Sequence, residues 1–532
     1  MQTGDSALNR QNLQQRKVFI MACTTILVGK GATNDCSTII ARNEDCENGD
    51  FNAKSMVVVT PEEQPRTYTD VNSHLTIELP DNPVRYICTP NTDPSDGVWG
   101  EAGINAANVS MSATETISSN ARVLGADPLV TYQPATDGST EKPGGIGEED
   151  LITIILPYIK TAREGVTRMG GLLEKYGTYE MNGVAFGDSD EVWYIETIGG
   201  HHWIARRVPD DCYVAQPNKF GIDRFDLDDA YGAQTEYMCS SDLAEWMAAN
   251  QLDVTYGLEG SAPDDKFFGV HTIFNPRQVF GSYTQLDIIY NNPRAWYIYS
   301  VASRSTGLFT GADAKYGPES MDIPWCMKPD AKLSAMDVKN ILSSNYDGTI
   351  YDPYDSMGTP ETRRRYRNIG INRTCECSVL QIRGNAPKAV RGVQWVSFGS
   401  GTFNTSIAML SNVKKVPDYL ATTMKITPEK FYWANRLIAG LADPEYFDNM
   451  QTLLTFQQTT MAEGYEHLHA IDEKASKMSG ADDMDDASII AMAEESNQEL
   501  CDFIQKQNDD LLASALYTRS MNMKNAFNLQ DH

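Results

Sequence analysis

The sequence predicts an α+β fold, and three observations carry that expectation. Short β-type runs are joined by Gly- and Asn-containing turns, helical patterns gather in separate blocks, and no strand–helix–strand unit repeats, so a doubly wound parallel sheet fits poorly. The first β-type run is Thr24-Thr25-Ile26-Leu27-Val28-Gly29. A polar turn from Lys30 to Asp35 leads to Ser37-Thr38-Ile39-Ile40-Ala41 and then to Arg42-Asn43-Glu44-Asp45, which reads as a hairpin. Glu148 to Tyr158 and Ala162 to Tyr176 have the apolar spacing of helices, with Glu148, Glu149 and Asp150 where a helix N-terminus favours negative charge. Val192 to Ile198 and His201 to Ala205 flank Gly199-Gly200, the signature of a two-residue hairpin turn. The β-type runs Cys377 to Ile382 and Gly392 to Phe398 imply that the sheets are completed late in the chain. From about Thr427 onward helices dominate: Phe431 to Leu441, Tyr446 to Met478 and Ala487 to Ala526, with Gly480 to Asp486 as an acidic break. Such helices could cover the outer face of a sheet, the plainer reading, or mediate contacts in a homo-oligomer. Asp226 to Asp264, with a loop from Gly257 to Pro263, reads as a surface insertion.

With 532 residues, 41% of them hydrophobic, the chain can bury a large core. Its net charge of -28 argues against nonspecific binding to nucleic acid or to an anionic membrane. No apolar run reaches the roughly 20 residues that a membrane helix requires. Ten cysteines contain no Cys-x-x-Cys pair and are expected to belong to a reducing cytoplasm rather than to a disulfide framework. Cys375 and Cys377 would share one face of a strand, where packing explains them. His201-His202 with Asp210-Asp211 invites a metal reading, but neighbours on a strand face opposite ways, so structural or substrate-contacting roles are the expectation. His467 and His469, two apart on a helix, do not share a face. No cofactor and no metal is expected.

Cys23 heads the first β-type run, behind Met21 and Ala22. If the chain before it is removed, this one residue supplies a thiol and a free α-amine, which titrates near pH ~7.7 to 8 and can take the thiol proton. Such a pair needs no histidine, which suits a chain whose seven histidines are mostly scattered. A buried strand cysteine is the competing reading. The hairpin would return Arg42 and Asp45 towards Cys23, where a guanidinium favours thiolate and a carboxylate could orient the ammonium, although charges after a strand are also ordinary surface features. Residues 1–20 are polar apart from Val18-Phe19-Ile20, short of the ~7 to 15 apolar residues of a secretory segment. They read as a short propeptide or as an extension upstream of a start at Met21.

Cys23-Thr24-Thr25-Ile26-Leu27-Val28-Gly29-Lys30 and Ile40-Ala41-Arg42-Asn43-Glu44-Asp45 resemble the opening of the bacterial dipeptidase A family. Those are N-terminal-nucleophile cysteine peptidases related to secernins and, more distantly, to penicillin V acylases and bile salt hydrolases. The resemblance runs on through Glu101 to Asn105, Met111 to Thr116, Leu124 to Val130, Gly147 to Asp150, Ala162 to Gly165, Tyr176 to Gly183 and Glu196 to Trp203, and covers roughly residues 23–410. It implies a four-layer αββα fold, two packed antiparallel sheets between helical layers, and hydrolysis of short peptides. It also implies cleavage between Ala22 and Cys23, dividing the chain into a leader (1–22), a peptidase core (23–425) and a helical region (426–532). In the related acylases the nucleophile works with an arginine, an aspartate, an asparagine and a backbone amide. The first three positions fall on Cys23, Arg42 and Asp45, and the asparagine on Asn218, which could equally be a turn residue beside Pro217. The backbone donor falls in Met111 to Glu115, with Asn105 a competing polar group. The same constellation would serve an amide acylase, and a secernin-like binding protein keeps the fold without catalysis.

Overall fold

A computed structural model describes residues 23–46, 52–256 and 262–525; the leader, its junction with Cys23 and most of the 257–263 loop lie outside them. Fifteen strands build two antiparallel sheets: β1 (Thr24–Val28), β2 (Thr38–Asp45), β3 (Val57–Val59), β4 (Tyr86–Cys88), β5 (Ala102–Asn105), β6 (Ser110–Thr116), β7 (Asn182–Gly187), β8 (Val192–Ile198), β9 (His202–Arg207), β10 (Tyr213–Gln216), β11 (Tyr237–Cys239), β12 (Cys326–Met327), β13 (Thr374–Ile382), β14 (Gly392–Phe398) and β15 (Ile407–Leu410). The seven-stranded sheet runs β12-β10-β1-β2-β13-β14-β15 and the eight-stranded one β11-β9-β8-β7-β6-β5-β4-β3. Antiparallel sheets beside separately grouped helices make this an α+β protein, as the sequence predicts.

Every residue of β1 and β2 is buried, so both faces of that sheet are covered, and their apolar β-branched runs suit such a position. On one face β2 meets β6, β7 and β8 of the other sheet. Ile40 of β2 reaches to within van der Waals contact of where a side chain at Gly187 of β7 would sit. Helix α1 (Ala162–Tyr176) covers the far face of β7, β8 and β9, with Thr161 capping its N-terminus through the Glu164 amide. Two glycines let it settle close. A Cβ at Gly165 would lie 2.3 Å from the Phe186 ring and one at Gly170 2.3 Å from that of Trp203.

The remaining longer helices are α2 (Asn292–Ala302), α3 (Ala335–Leu342), α4 (Phe431–Ala442), α5 (Tyr446–Ala475) and α6 (Ala487–Met521). Helices α3 to α6 lie against the seven-stranded sheet. The tail therefore packs on the core: Met461, Leu468, Ile471 of α5 and Ile489, Ala493, Leu500 of α6 join the same apolar cluster as Trp395 and Met409. Strand β15 is a sheet edge, and Asn497 of α6 occupies its open backbone, accepting from Leu410 N–H (3.0 Å) and donating to Leu410 C=O (3.1 Å). An edge plugged by a side-chain amide is no longer a template for a further strand.

Three local expectations are corrected. The β8–β9 connection pairs Ile198 with His202, so the loop has three residues, Gly199-Gly200-His201, and His201 leaves the strand. Gly199 takes the left-handed conformation (φ 56°), and its chain packs against Asp127 where a Cβ would collide. Strand β13 bulges at Cys375, between Thr374 opposite Asp45 and Glu376 opposite Glu44, so strict alternation does not relate Cys375 to Cys377. The segment expected as a surface insertion is built into the fold: β11 is an edge of the eight-stranded sheet, and Leu243 and Met247 behind it are buried.

The close approach of α1 is directly testable. Gly170→Ala should cost about 1–3 kcal/mol through overpacking against Trp203. Gly171→Ala, with nothing within 4 Å of the added carbon, should instead stabilise the helix by roughly 0.5–1 kcal/mol. Denaturant midpoints of the two variants check the contrast.

Candidate active site

Cys23 is the residue immediately before β1, and strand register fixes its neighbours. Thr24 pairs with Asn43 and Thr25 with Arg42 on one side, while Thr25 pairs with Gln216 on the other. Carried towards the strand head, the same registers set Cys23 between Glu44 and Asn218. Because side chains alternate along a strand, Arg42 and Glu44 share the face of the Cys23 sulfur, and Asn43 and Asp45 take the opposite one. Arg42 Nη2 donates to Cys23 Sγ at 2.8 Å.

The guanidinium is itself gripped by two carboxylates. Arg42 Nη1 bonds to Glu101 Oε2, and Nη2 to Glu148 Oε1 at 3.2 Å, with all three side chains no more than 3% exposed. A second buried cation, Lys54, pairs with Glu44 Oε2 (2.7 Å) and donates to the Trp99 carbonyl (3.1 Å). Trp99 packs on Cys23. Trp99 and Glu101 both adopt left-handed backbone (φ 50° and 56°), a strained conformation for such side chains and one that recurs at functional sites. Burial alone would lower the pKa of Arg42, but the Cys23 sulfur, then Glu101 and Glu148, outweigh it and hold the group well above its usual value. Burial lifts Glu44 to about 8 against the pull of Lys54, and lifts Glu148 well above the carboxylate range with help from Glu101. Glu180, whose Oε1 accepts from the Glu148 N–H at 2.7 Å, is raised by burial to about 7.

The other face holds the backbone of Cys23. Arg294 Nη1 donates to the Cys23 carbonyl and to Thr24 Oγ1 (2.8 Å), while Nη2 donates to Asn218 Oδ1 (2.9 Å) and Asn291 Oδ1 (2.7 Å). Asp45 accepts from Arg367 Nη2 and from Thr374 Oγ1 (2.5 Å), and Arg367 reaches Thr24 Oγ1 at 3.4 Å. Arg42 is thus brought to the sulfur, whereas Asp45 and Asn218 are brought to the main chain around Cys23. Asn105 is elsewhere: it donates to the Leu156 and Ile159 carbonyls (2.8 Å each) and accepts from Ala107 and Val109, a loop-bracing role. Strand β6 slips register between Ala113 and Glu115, within the stretch expected to supply a backbone donor.

Glu101, Glu148, Arg294 and Arg367 were not singled out from the sequence as site residues. Glu101 and Glu148 stand inside motifs carrying the family resemblance, which was the available signal, although Glu148 reads locally as a helix start. Arg294 and Arg367 lie in segments with no local pattern.

Cys46 and Cys375 form a disulfide, Cα–Cα 6.4 Å, so ordinary packing does not account for Cys375. Each follows a member of the Asp45–Thr374 pair. The expected separation of His201 and His202 also fails: with His201 in the loop, both imidazoles meet one carboxylate, His201 Nδ1 on Asp127 Oδ1 (2.9 Å) and His202 Nδ1 on Oδ2 (2.7 Å). Burial opposes its ionisation, but the bonds from His202 and His201 prevail and hold Asp127 down to about 2. Asp210 and Asp211 turn instead to Arg207 and Lys328 (2.5 Å each). Among the described residues, Asp70, Glu149 and Asp150 are the acidic group close enough to hold a cation, with ligand oxygens within 4.8 Å of one another. Glu149 is already bonded by Tyr179 and Asn72, and Asp150 by the Gly147 amide.

A thiol held by a buried guanidinium at the head of a central strand defines a candidate hydrolase site of the thiol class. The chain belongs to peptidase family C69, whose model matches residues 22–459. It is 49% identical to the dipeptidase of Bifidobacterium longum (strain NCC 2705) over 96% of this chain and 100% of that one. It is also 46% identical to probable dipeptidase A of Streptococcus pyogenes serotype M3 (strain SSI-1), over 96% of this chain and 100% of the other. Against probable dipeptidase B of Lactococcus lactis subsp. lactis (strain IL1403) it is 41% identical, with 96% and 98% covered. No described helix is long and apolar enough to cross a membrane.

Removing the central cation should cost more than removing the whole charged set. Arg42→Ala strands Glu101 and Glu148 in the interior and should lower stability by about 3–5 kcal/mol. Combining Arg42→Met with Glu101→Gln and Glu148→Gln should recover most of that loss, as read by thermal unfolding.

Proposed function

We propose that this protein is a dipeptidase that hydrolyses short peptides through a thioester on Cys23. The observation that carries the reading is the Arg42–Cys23 contact at the head of β1, in a chain that matches proteins named dipeptidases over nearly its full length. Cleavage between Ala22 and Cys23, carried out by the protein itself, exposes the α-amine. The amine takes the thiol proton, Arg42 steadies the thiolate, and sulfur attacks the scissile carbonyl. Arg294 donates to the oxygen of the Asn218 amide and so fixes its orientation, and the Asn218 side-chain N–H serves as donor to the tetrahedral oxyanion alongside a main-chain N–H of β6. The protonated amine then delivers its proton to the departing amine, and water resolves the thioester with the same amine as base. Asp45, through Arg367 and Thr24, fixes the main chain from which that amine projects. On this reading the two sheets and their flanking helices are the αββα layers of an N-terminal-nucleophile hydrolase. A cytoplasmic home belongs to the same proposal and has to accommodate the Cys46–Cys375 bond, which reducing compartments disfavour.

Two measurements test this. Intact mass of active protein should correspond to a chain beginning at Cys23; full activity with Ala22 retained contradicts the amine as base. On a dipeptide panel Cys23→Ala should lose activity about 1000-fold or more and Cys23→Ser should keep little. Turnover confined to N-acyl amides would mark an acylase, and none on either panel a binding protein.

A further inference from the structure

Around Arg42 the carboxylates outnumber the side-chain cations that face them, and the α-amine of mature Cys23, acting as base, is neutral when substrate arrives. The guanidinium is shared by the Cys23 sulfur, Glu101 and Glu148, while Lys54 is engaged by Glu44. Glu148 Oε2 and Glu101 Oε1 are both buried and have no hydrogen-bond partner among the described residues. Half-buried Glu180 adds a third carboxylate against the Glu148 amide. Burial without enough counter-charge favours the neutral acid at these positions, and one further cation with several N–H donors would bring them to the charged form and satisfy their open oxygens.

The distances say which cation. Legs of 2.8 and 3.2 Å through Arg42 Nη2 place Glu148 Oε1 within about 6 Å of the Cys23 sulfur. In a peptide with a free N-terminus, the α-nitrogen of the residue whose carbonyl is attacked lies two bonds, about 2.5 Å, from that carbon. Sulfur approaches the carbon at about 3–3.5 Å before reaction. The α-ammonium and Glu148 Oε1 thus lie at similar distances from the sulfur, and a peptide oriented with its N-terminus towards Arg42 brings the two within hydrogen-bonding reach. We infer that Glu148, with Glu101 and Glu180 beside it, is the subsite for the substrate's free α-ammonium, so that the bond cleaved is the one following an unblocked N-terminal residue. This rests on the dipeptidase reading and gives it a physical basis for refusing N-acylated substrates, whose amide nitrogen brings no charge and would leave the carboxylates unmatched.

The experiment compares a dipeptide that the wild type cleaves with its N-acetyl derivative, in wild type and in Glu148→Gln, which keeps one oxygen for Arg42. The wild type should favour the free dipeptide strongly. Glu148→Gln should lower kcat/KM for the free dipeptide by about 10- to 100-fold, mainly through KM, and lower that for the N-acetyl derivative much less, so that their ratio collapses. Glu148→Asp should restore part of it. Glu180→Gln, outside the Arg42 contact, supplies the same readout if the first variant fails to fold, with a ratio change of about threefold to tenfold. An equal fall for both substrates would make Glu148 only a support for Arg42 and overturn the subsite, as would a wild type indifferent to acetylation; either result leaves the dipeptidase reading standing. A wild type inert towards every dipeptide defeats both.

Discussion

A desolvated guanidinium is the constraint around which this molecule is arranged. Arg42 sits on a strand buried on both faces, and its charge is tolerable there only because sulfur and two carboxylates surround it. Each partner has its own scaffold requirement. Cys23 must head β1 beside β2, Glu101 must come from the strained turn into β5, and Glu148 from the irregular helical turn that follows a long loop. The two sheets have to stack for those three segments to converge. The architecture can therefore be understood as the means of bringing anions from distant parts of the chain to one cation that water no longer solvates.

How much of this could be read from residue order depended on sequence distance. Cys23 and Arg42 are 19 residues apart and share one hairpin, so their meeting follows from a turn and a register. Arg294 meets Cys23 across 271 residues, and Arg367 meets Asp45 across 322; no periodicity reports such encounters. The long helices were legible because their apolar spacing persists over many turns, and their ends moved by only a few residues. The errors came at single-residue irregularities. One extra loop residue turns His201 towards the carboxylate that His202 holds, and one bulged residue releases Cys375 from strict alternation with Cys377. Period-two reasoning is reliable along a strand and fails wherever one residue is added to it.

Cys23 is held from two sides by different chemistry. One face presents cations and carboxylates to the sulfur, while the other pins the adjacent main chain with neutral amides and two further arginines. Separating the duties this way lets the sulfur be electrostatically tuned without loosening its position, since the charged groups around it are not the ones that pin its main chain.

The bond between Cys46 and Cys375 joins residues 329 positions apart. It closes the polypeptide into a covalent ring containing the entire eight-stranded sheet, while β1, β2 and the three tail helices hang outside it as branches. A protease that nicks any surface loop within the ring opens a circle without releasing a fragment. The halves stay tethered at the residue next to Asp45, so a clipped molecule keeps its two parts joined beside the strand that carries Arg42 until a reductant parts them.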